Sequence, residues 1–336
     1  MSAPRGTSRR ARHLSAALLL LAAASGALGC GSETTPHRPD GGSSADAGPL
    51  DAGDPSLDAD LSDAGALDAE TPADAGSFDG GGASRCTVTP TSVACPHETT
   101  TVSTGAALPL RHVHFQVPLG TPPVTGFPVV IAFQGTALPA ALTWAGASTD
   151  PYGMYYQALV VARLLDAGYA VLTPETANDG ASYYDTNVPL YSTAWETAPD
   201  HQLMLGIFAG IEAGDFGSLN PSALFAVGFS SGGYMTSRMA VSYPGRFRSL
   251  AIQSASYATC GGALCTVPAT LPADHPPTLF LHGGADTFVP MATMVPYEAQ
   301  LRAQGIATRI VTESTRGHEW LPASPDEVLA WFDASR

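Results

Sequence analysis

LFAVGFSSGGYMTSRMA, residues 224–240, divides into an apolar run, a tight turn and a segment of helical spacing. Residues 224–229 have the length and continuity of a strand buried on both faces. Residues 231–242 predict a helix, which Pro244 stops. Between them, Gly228-Phe229-Ser230-Ser231-Gly232 is G-x-S-x-G in the strand–turn–helix setting that a nucleophile elbow needs. Glycine two residues before and after the serine lets strand and helix approach without a Cβ clash. The Ser230 hydroxyl then projects beyond the strand, at the positive end of the helix. Ser231 is the rival hydroxyl, at the wrong offset within the turn.

Outward from this turn, strands and helices alternate. Val113, Phe115 and Val117 alternate with His112, His114 and Gln116, as in a half-buried strand. Residues 128–133 (PVVIAF) predict a fully buried strand, 154–166 a helix ending at Gly168, and 169–173 another strand. Residues 201–213 predict an amphipathic helix. Strands at 249–253, 278–281 and 308–312 and helices at 293–304 and 326–332 complete the pattern. This order implies an α/β fold with a mostly parallel central sheet and helices on both faces. In such sheets, functional residues gather on loops at the carboxyl ends of the strands.

A serine hydroxyl needs a histidine to take its proton, and the histidine needs an acid to fix its tautomer. In this kind of fold the chain order is Ser, then Asp or Glu, then His. His275, His282 and His318 follow Ser230. His275 lies in a proline-rich loop, and His282 ends a buried strand. His318 follows the last predicted strand, where the base belongs. Asp286, in His282-Gly283-Gly284-Ala285-Asp286, combines the right order with a glycine turn at a strand end. Ser230, Asp286 and His318 are therefore the candidate triad, with His282 expected to hold the Asp286 loop. For the oxyanion, the expected donors are the backbone N–H groups of Ser231 and of Thr136, in Phe133-Gln134-Gly135-Thr136.

The 336 residues are not of one kind. Arg5, Arg9, Arg10 and Arg12 precede an apolar run, 14–28, too short to span a bilayer comfortably and suited to a signal peptide. Ala27-Leu28-Gly29-Cys30 resembles a bacterial lipobox, which makes Cys30 the expected lipidation site and new N-terminus. Gly31 after it favours the outer membrane or cell surface. Residues 31–84 repeat Asp-Ala-Gly and hold twelve acids against Arg38 alone. Such a segment cannot bury enough apolar surface to fold and is expected to be a disordered tether. At about 5–6 Å × √n it reaches roughly 40 Å from the lipid. Residues 85–336 are long enough for one catalytic domain with a large core.

The net charge of −15 is concentrated in the tether. The domain retains eighteen acids and ten arginines, and the chain has no lysine. A mildly acidic globule lacks the basic patch that nucleic acid requires. No H-E-x-x-H or H-x-x-E-H motif appears, so neither metal nor cofactor is expected. Cys86, Cys95, Cys260 and Cys265 form an even set in an exported chain. The local pairing Cys86–Cys95 and Cys260–Cys265 is expected.

Four blocks, GFSSGGYMTSRMA, YPGRF, HGGADTFVP and GHEW, occur in this order. Over roughly residues 110–335 the chain resembles the secreted polyhydroxybutyrate depolymerase and feruloyl esterase group of α/β-hydrolases. The resemblance implies hydrolysis of carboxylic esters through an acyl-enzyme, with Ser230 as nucleophile, Asp286 as acid and His318 as base. Substrates would be polyhydroxyalkanoate oligomers, feruloyl esters or short-chain acyl esters. Two positions depart from the group. Gln134-Gly135 stands where His-Gly is usual, and Asn220-Pro221-Ser222 where Asp-Pro-Arg is usual. No separate substrate-binding domain is expected after His318, so grip on insoluble polymer is expected to be weak.

Two aromatic-rich insertions follow predicted strands, one with Trp144, Tyr152, Tyr155 and Tyr156, the other with Tyr183, Tyr184, Tyr191 and Trp195. Gln134, Trp144, Tyr184 and Trp195 are candidate substrate contacts; packing of the loops onto the core is the competing use for such aromatics. Two rival functions remain, a prolyl-peptidase-like serine peptidase and a non-catalytic surface binding protein. The expected protein is a monomer that touches the membrane only through its N-terminal lipid.

Overall fold

The computed structural model describes residues 83–105, 109–178, 180–260 and 266–336. The signal segment, Cys30, nearly all of the tether and Cys265 lie outside the described residues. In chain order the elements are β1 (Thr87–Thr89), β2 (Ser92–Ala94), β3 (Glu98–Val102), β4 (Arg111–Gln116), β5 (Phe127–Phe133), β6 (Ala145–Ala147), α1 (Met154–Asp166), β7 (Ala170–Pro174) and α2 (Pro189–Thr193). Then follow α3 (Pro199–Ala213), β8 (Leu219–Phe229), α4 (Ser231–Ser242), β9 (Phe247–Gln253), β10 (Thr278–Gly283), α5 (Val295–Ala303), β11 (Thr308–Glu313) and α6 (Ser324–Asp333).

Among the described residues an eight-stranded sheet runs β11-β10-β9-β8-β5-β7-β4-β3. Every neighbouring pair from β7 to β11 is parallel, whereas β4 and β3 add an antiparallel edge. The expected mostly parallel sheet is thus present. β8 lies inside it, so the turn that follows is braced on both sides.

The two-residue period of β5 sorts the core. Val129, Ile131 and Phe133 face one side with Leu203, Met204 and Ile207 of α3 and Met235 and Met239 of α4. Val130 and Ala132 face the other, with Val160, Val161, Leu164 and Leu165 of α1 and Val328 and Phe332 of α6. Both faces are covered, which is why the strand reads as unbroken apolar sequence rather than as alternation. Each of the larger side chains (Val, Leu, Ile, Met, Phe) contributes roughly 1.5–3 kcal/mol by leaving water.

The sequence-based boundaries of α1 and α4 coincide with the structure. α3 begins two residues earlier than expected, because Pro199 can occupy the first turn where its missing N–H costs nothing. β1, β2 and β6 were not expected. They form a small antiparallel sheet, β1-β2-β6, beside the main one. Strands of three residues carry too little periodicity to be read. The Cys86–Cys95 disulfide closes the β1–β2 hairpin, as its local spacing predicts. Cys260 is also disulfide-bonded.

Candidate active site

Ser230 sits between β8 and α4 with φ 55 and ψ −120, a backbone region that L-residues rarely adopt. The surroundings over-determine it. Its N–H donates to the Gln253 carbonyl at 3.0 Å, and its carbonyl accepts from the N–H groups of Gly233 and Tyr234. A Cβ on Gly228 would lie 2.2 Å from the Gly232 carbonyl oxygen, and one on Gly232 would lie 2.1 Å from that of Phe133. Only glycine permits the approach of α4 to β8 and β5 that holds the strained serine.

The three candidate residues come together from three strand ends. Ser230 follows β8, Asp286 follows β10 and His318 follows β11. The Ser230 Oγ is 2.8 Å from His318 Nε2, and His318 Nδ1 is 2.7 Å from Asp286 Oδ2. Asp286 Oδ1 accepts the N–H groups of Phe288 at 3.0 Å and Val289 at 2.8 Å. Burial alone would raise the Asp286 carboxyl. The His318 hydrogen bond, the Val289 N–H and the two neighbouring imidazoles outweigh it and hold the group below the usual carboxylate range. An ionised Asp286 accepts Nδ1–H and leaves the Nε2 lone pair facing the serine.

His282 does what its position suggested. Its Nε2–H donates to the Val289 carbonyl at 2.7 Å and lies 3.6 Å from Asp286 Oδ2. Burial pushes its pKa down, so the ring is neutral and donates one proton to the Asp286 loop. His275 is engaged elsewhere, with Tyr297 and the Pro276 carbonyl.

The N–H of Ser231 stands at the first position of α4, where no intrahelical acceptor exists. The Thr136 N–H has no hydrogen-bond acceptor among the described residues, and Thr136 is exposed. The tight Gly232–Phe133 approach places the loop after β5 beside the elbow. Ser231 is no rival nucleophile. Its Oγ accepts the Tyr184 N–H at 3.0 Å and donates to Asn187 Oδ1 at 2.9 Å, pinning the loop after β7 to the elbow.

The four candidate substrate contacts require correction. Gln134, Trp144, Tyr184 and Trp195 are 1%, 1%, 0% and 3% exposed, so none presents its side chain to solvent in a cleft. Trp144 donates to Thr173 Oγ1 and stacks on His97. Tyr184 donates to Gln134 Oε1 and to the Pro174 carbonyl. Trp195 donates to the Tyr243 hydroxyl and lies under the Arg238 guanidinium. Trp144 and Tyr184 thereby fasten their loops to β7, and Trp195 fastens its loop to α4 and the Tyr243 that follows it.

Sequence reasoning missed Asn187, Gln253 and Phe288. The Gln253 side-chain amide donates to the Glu319 carbonyl, in the loop that carries His318. Phe288 is 71% exposed, and its ring centroid lies 5.5 Å from that of His318. A polar residue ending the apolar strand β9 was the one available signal, for Gln253.

A dienelactone hydrolase family model matches residues 148–328. At 47% identity over 258 residues the chain is similar to a poly(3-hydroxyoctanoate) depolymerase of Pseudomonas fluorescens, spanning 75% of this chain and 91% of that protein. Among solved structures, a thermostable esterase shares the fold with a TM-score of 0.50 at 16% identity, over 71% of this chain and 63% of its own. A Bacillus cereus carboxylesterase gives a TM-score of 0.47 at 14% identity, over 67% and 95%. With close kinship across most of one relative and a family model spanning more than half of its length, the chain belongs to the dienelactone hydrolase family, among the depolymerase- and esterase-like α/β-hydrolases, and is a carboxylic ester hydrolase.

Proposed function

We propose that Ser230, His318 and Asp286 hydrolyse esters of aliphatic hydroxy acids, as in polyhydroxyalkanoate oligomers, through an acyl-enzyme. The observation that carries this reading is the unbroken line Asp286 Oδ2–His318 Nδ1, His318 Nε2–Ser230 Oγ at 2.7 and 2.8 Å, ending on a strained serine. Ser230 Oγ attacks the ester carbonyl while His318 Nε2 takes its proton. The N–H groups of Ser231 and Thr136 receive the charge that develops on the carbonyl oxygen. The carbon–oxygen bond to the alcohol breaks as His318 returns the proton to the leaving oxygen. Water, deprotonated by the same imidazole, then releases the acid and restores Ser230. The aliphatic polyester is favoured as substrate because the relative at 47% identity is named a poly(3-hydroxyoctanoate) depolymerase.

The test is turnover of hydroxyoctanoate oligomers, p-nitrophenyl octanoate and a feruloyl ester by the wild type and by Ser230→Ala. Loss of about 10³-fold or more in kcat on substitution supports the nucleophile. Retention of activity, or preference for the feruloyl ester over hydroxyoctanoate, overturns the reading.

Export follows from the N-terminal sequence. Residues 1–30 direct secretion, Cys30 carries the lipid, 31–84 tether the enzyme to the outer membrane or surface, and 85–336 fold as a monomeric catalytic domain. Labelling with a radioactive fatty acid checks this. Label that survives in Cys30→Ala removes the anchor from the account.

A further inference from the structure

The fold buries most of its aromatic side chains, but it holds Phe288 in water. The ring is 71% exposed, and its centroid lies 5.5 Å from that of His318 at a 44° tilt. A second ring, Phe229, lies 4.7 Å from the imidazole and is 2% exposed. His318 thus neighbours one buried ring and one open ring. The backbone that carries the open ring is held in place. The Phe288 N–H donates to Asp286 Oδ1, the adjacent Val289 N–H donates to the same oxygen, and His282 holds the Val289 carbonyl. The hydrogen bonds that orient the acid therefore also preset the place of Phe288. A solvated apolar ring on a fixed backbone beside the base is a contact surface without its partner.

The chemistry of the base says which part of an ester would cover it. His318 returns its proton to the leaving oxygen, so the alcohol half of the substrate departs on the His318 side. We propose that Phe288 is a specificity-determining residue that packs against the alkyl portion of the leaving alcohol. In a polyester of 3-hydroxy acids that portion is the alkyl side chain of the outgoing unit. The inference rests on the Ser230–His318–Asp286 reading and adds to it a preference on the alcohol side. Tyr183, 39% exposed, is the corresponding open ring on the loop after β7, across β8 in strand order from the Phe288 loop. Its neighbour Tyr184 is bound to Ser231, so this second ring also stands on a fixed backbone.

Two ester series on the full chain separate this role from a structural one. In the first, the acyl group is fixed as butyrate and the alcohol runs from methyl to octyl, followed by acid release. In the second, the alcohol is fixed as p-nitrophenol and the acyl group runs from acetate to octanoate. Phe288→Ala is expected to lower the octyl-over-methyl ratio of kcat/KM by about tenfold, equivalent to uncovering about two methylenes. The loss should appear mainly in KM. The acyl-series ratios should stay within about twofold, and Phe288→Leu should restore most of the octyl preference. An equal loss across all alcohols would make Phe288 a shield for His318 and overturn the proposal. A shift confined to the acyl series would overturn it too, by placing the ring on the other half of the substrate. Wild-type protein inert on every ester would instead strike the underlying triad reading.

Discussion

The side-chain amide of Gln253 donates to the main-chain carbonyl of Glu319 at 2.9 Å, one residue beyond His318. The carbonyl of Gln253 accepts the Ser230 N–H at 3.0 Å, and its Oε1 accepts from Ser324 Oγ at 2.9 Å. One residue at the end of β9 thus joins the elbow, the base loop and the start of α6. Gln253 and Ser324 are both fully buried, so the bond between them has little competition from water.

Gln253→Leu keeps the bulk and the backbone bond to Ser230 but leaves the Glu319 carbonyl and the Ser324 hydroxyl without that partner. An unsatisfied buried group costs about 1–3 kcal/mol, so the melting temperature should fall. The base loop also loses its tether, and small misplacements of a base are expensive. We expect kcat to fall by about 10- to 100-fold with KM little changed. Steady-state kinetics alongside thermal melting checks it. Unchanged kcat in a destabilised variant would show that the tether supports the fold and not the chemistry.

The elbow was legible in the sequence because its determinants are local. Gly228, Ser230 and Gly232 lie within five consecutive residues, flanked by an unbroken apolar run and a segment of helical spacing. Asp286 and His318 were legible through chain order, since topology puts successive strand ends side by side. Aromatic function was not legible. Trp144 is fastened by Thr173, and Tyr184 by Gln134, fifty positions apart. Nothing in the neighbouring sequence distinguishes an aromatic that braces a loop from one that meets a ligand. Phe288 shows the converse: its exposure is imposed by the Asp286 turn, which sequence locates but does not orient.

Gly232→Ala tests how tightly the elbow is built. The added Cβ would sit 2.1 Å from the Phe133 carbonyl oxygen and 2.6 Å from that of Gln134, and both are backbone atoms that cannot swing aside. α4 must move away from β5, which moves Ser231 and its N–H with it. We expect a loss of stability of about 1–3 kcal/mol, as for other overpacked sites, together with a fall in kcat of at least about tenfold. Melting and kinetics on the same preparation suffice. Wild-type behaviour in both would mean that the elbow has slack and that Gly232 is not required by sterics.

Asp185 and Asp200 cap each other across the loop that Ser231 holds. The Asp185 N–H donates to Asp200 Oδ2 at 2.6 Å, and the Asp200 N–H donates to Asp185 Oδ2 at 2.8 Å, while Arg111 pairs with Asp200. Burial, then repulsion from Asp200, pushes the Asp185 carboxyl up to about 6 against the opposing pull of the Asp200 N–H and Arg111. An unfolded aspartate titrates at about 3.9. Between these values the folded chain keeps a proton that the unfolded chain has released. The contribution of Asp185 is therefore fully present below about pH 4 and is lost as pH rises through about 6. Asp185→Asn keeps an oxygen for the Asp200 N–H and removes the charge. The variant should melt above wild type at pH 7, and the gap should shrink as pH falls to 4. Melting curves at pH 4, 5, 6 and 7 decide it. A gap that does not depend on pH, or a lower melting temperature at pH 7, would mean that the fold accommodates the ionised pair without penalty.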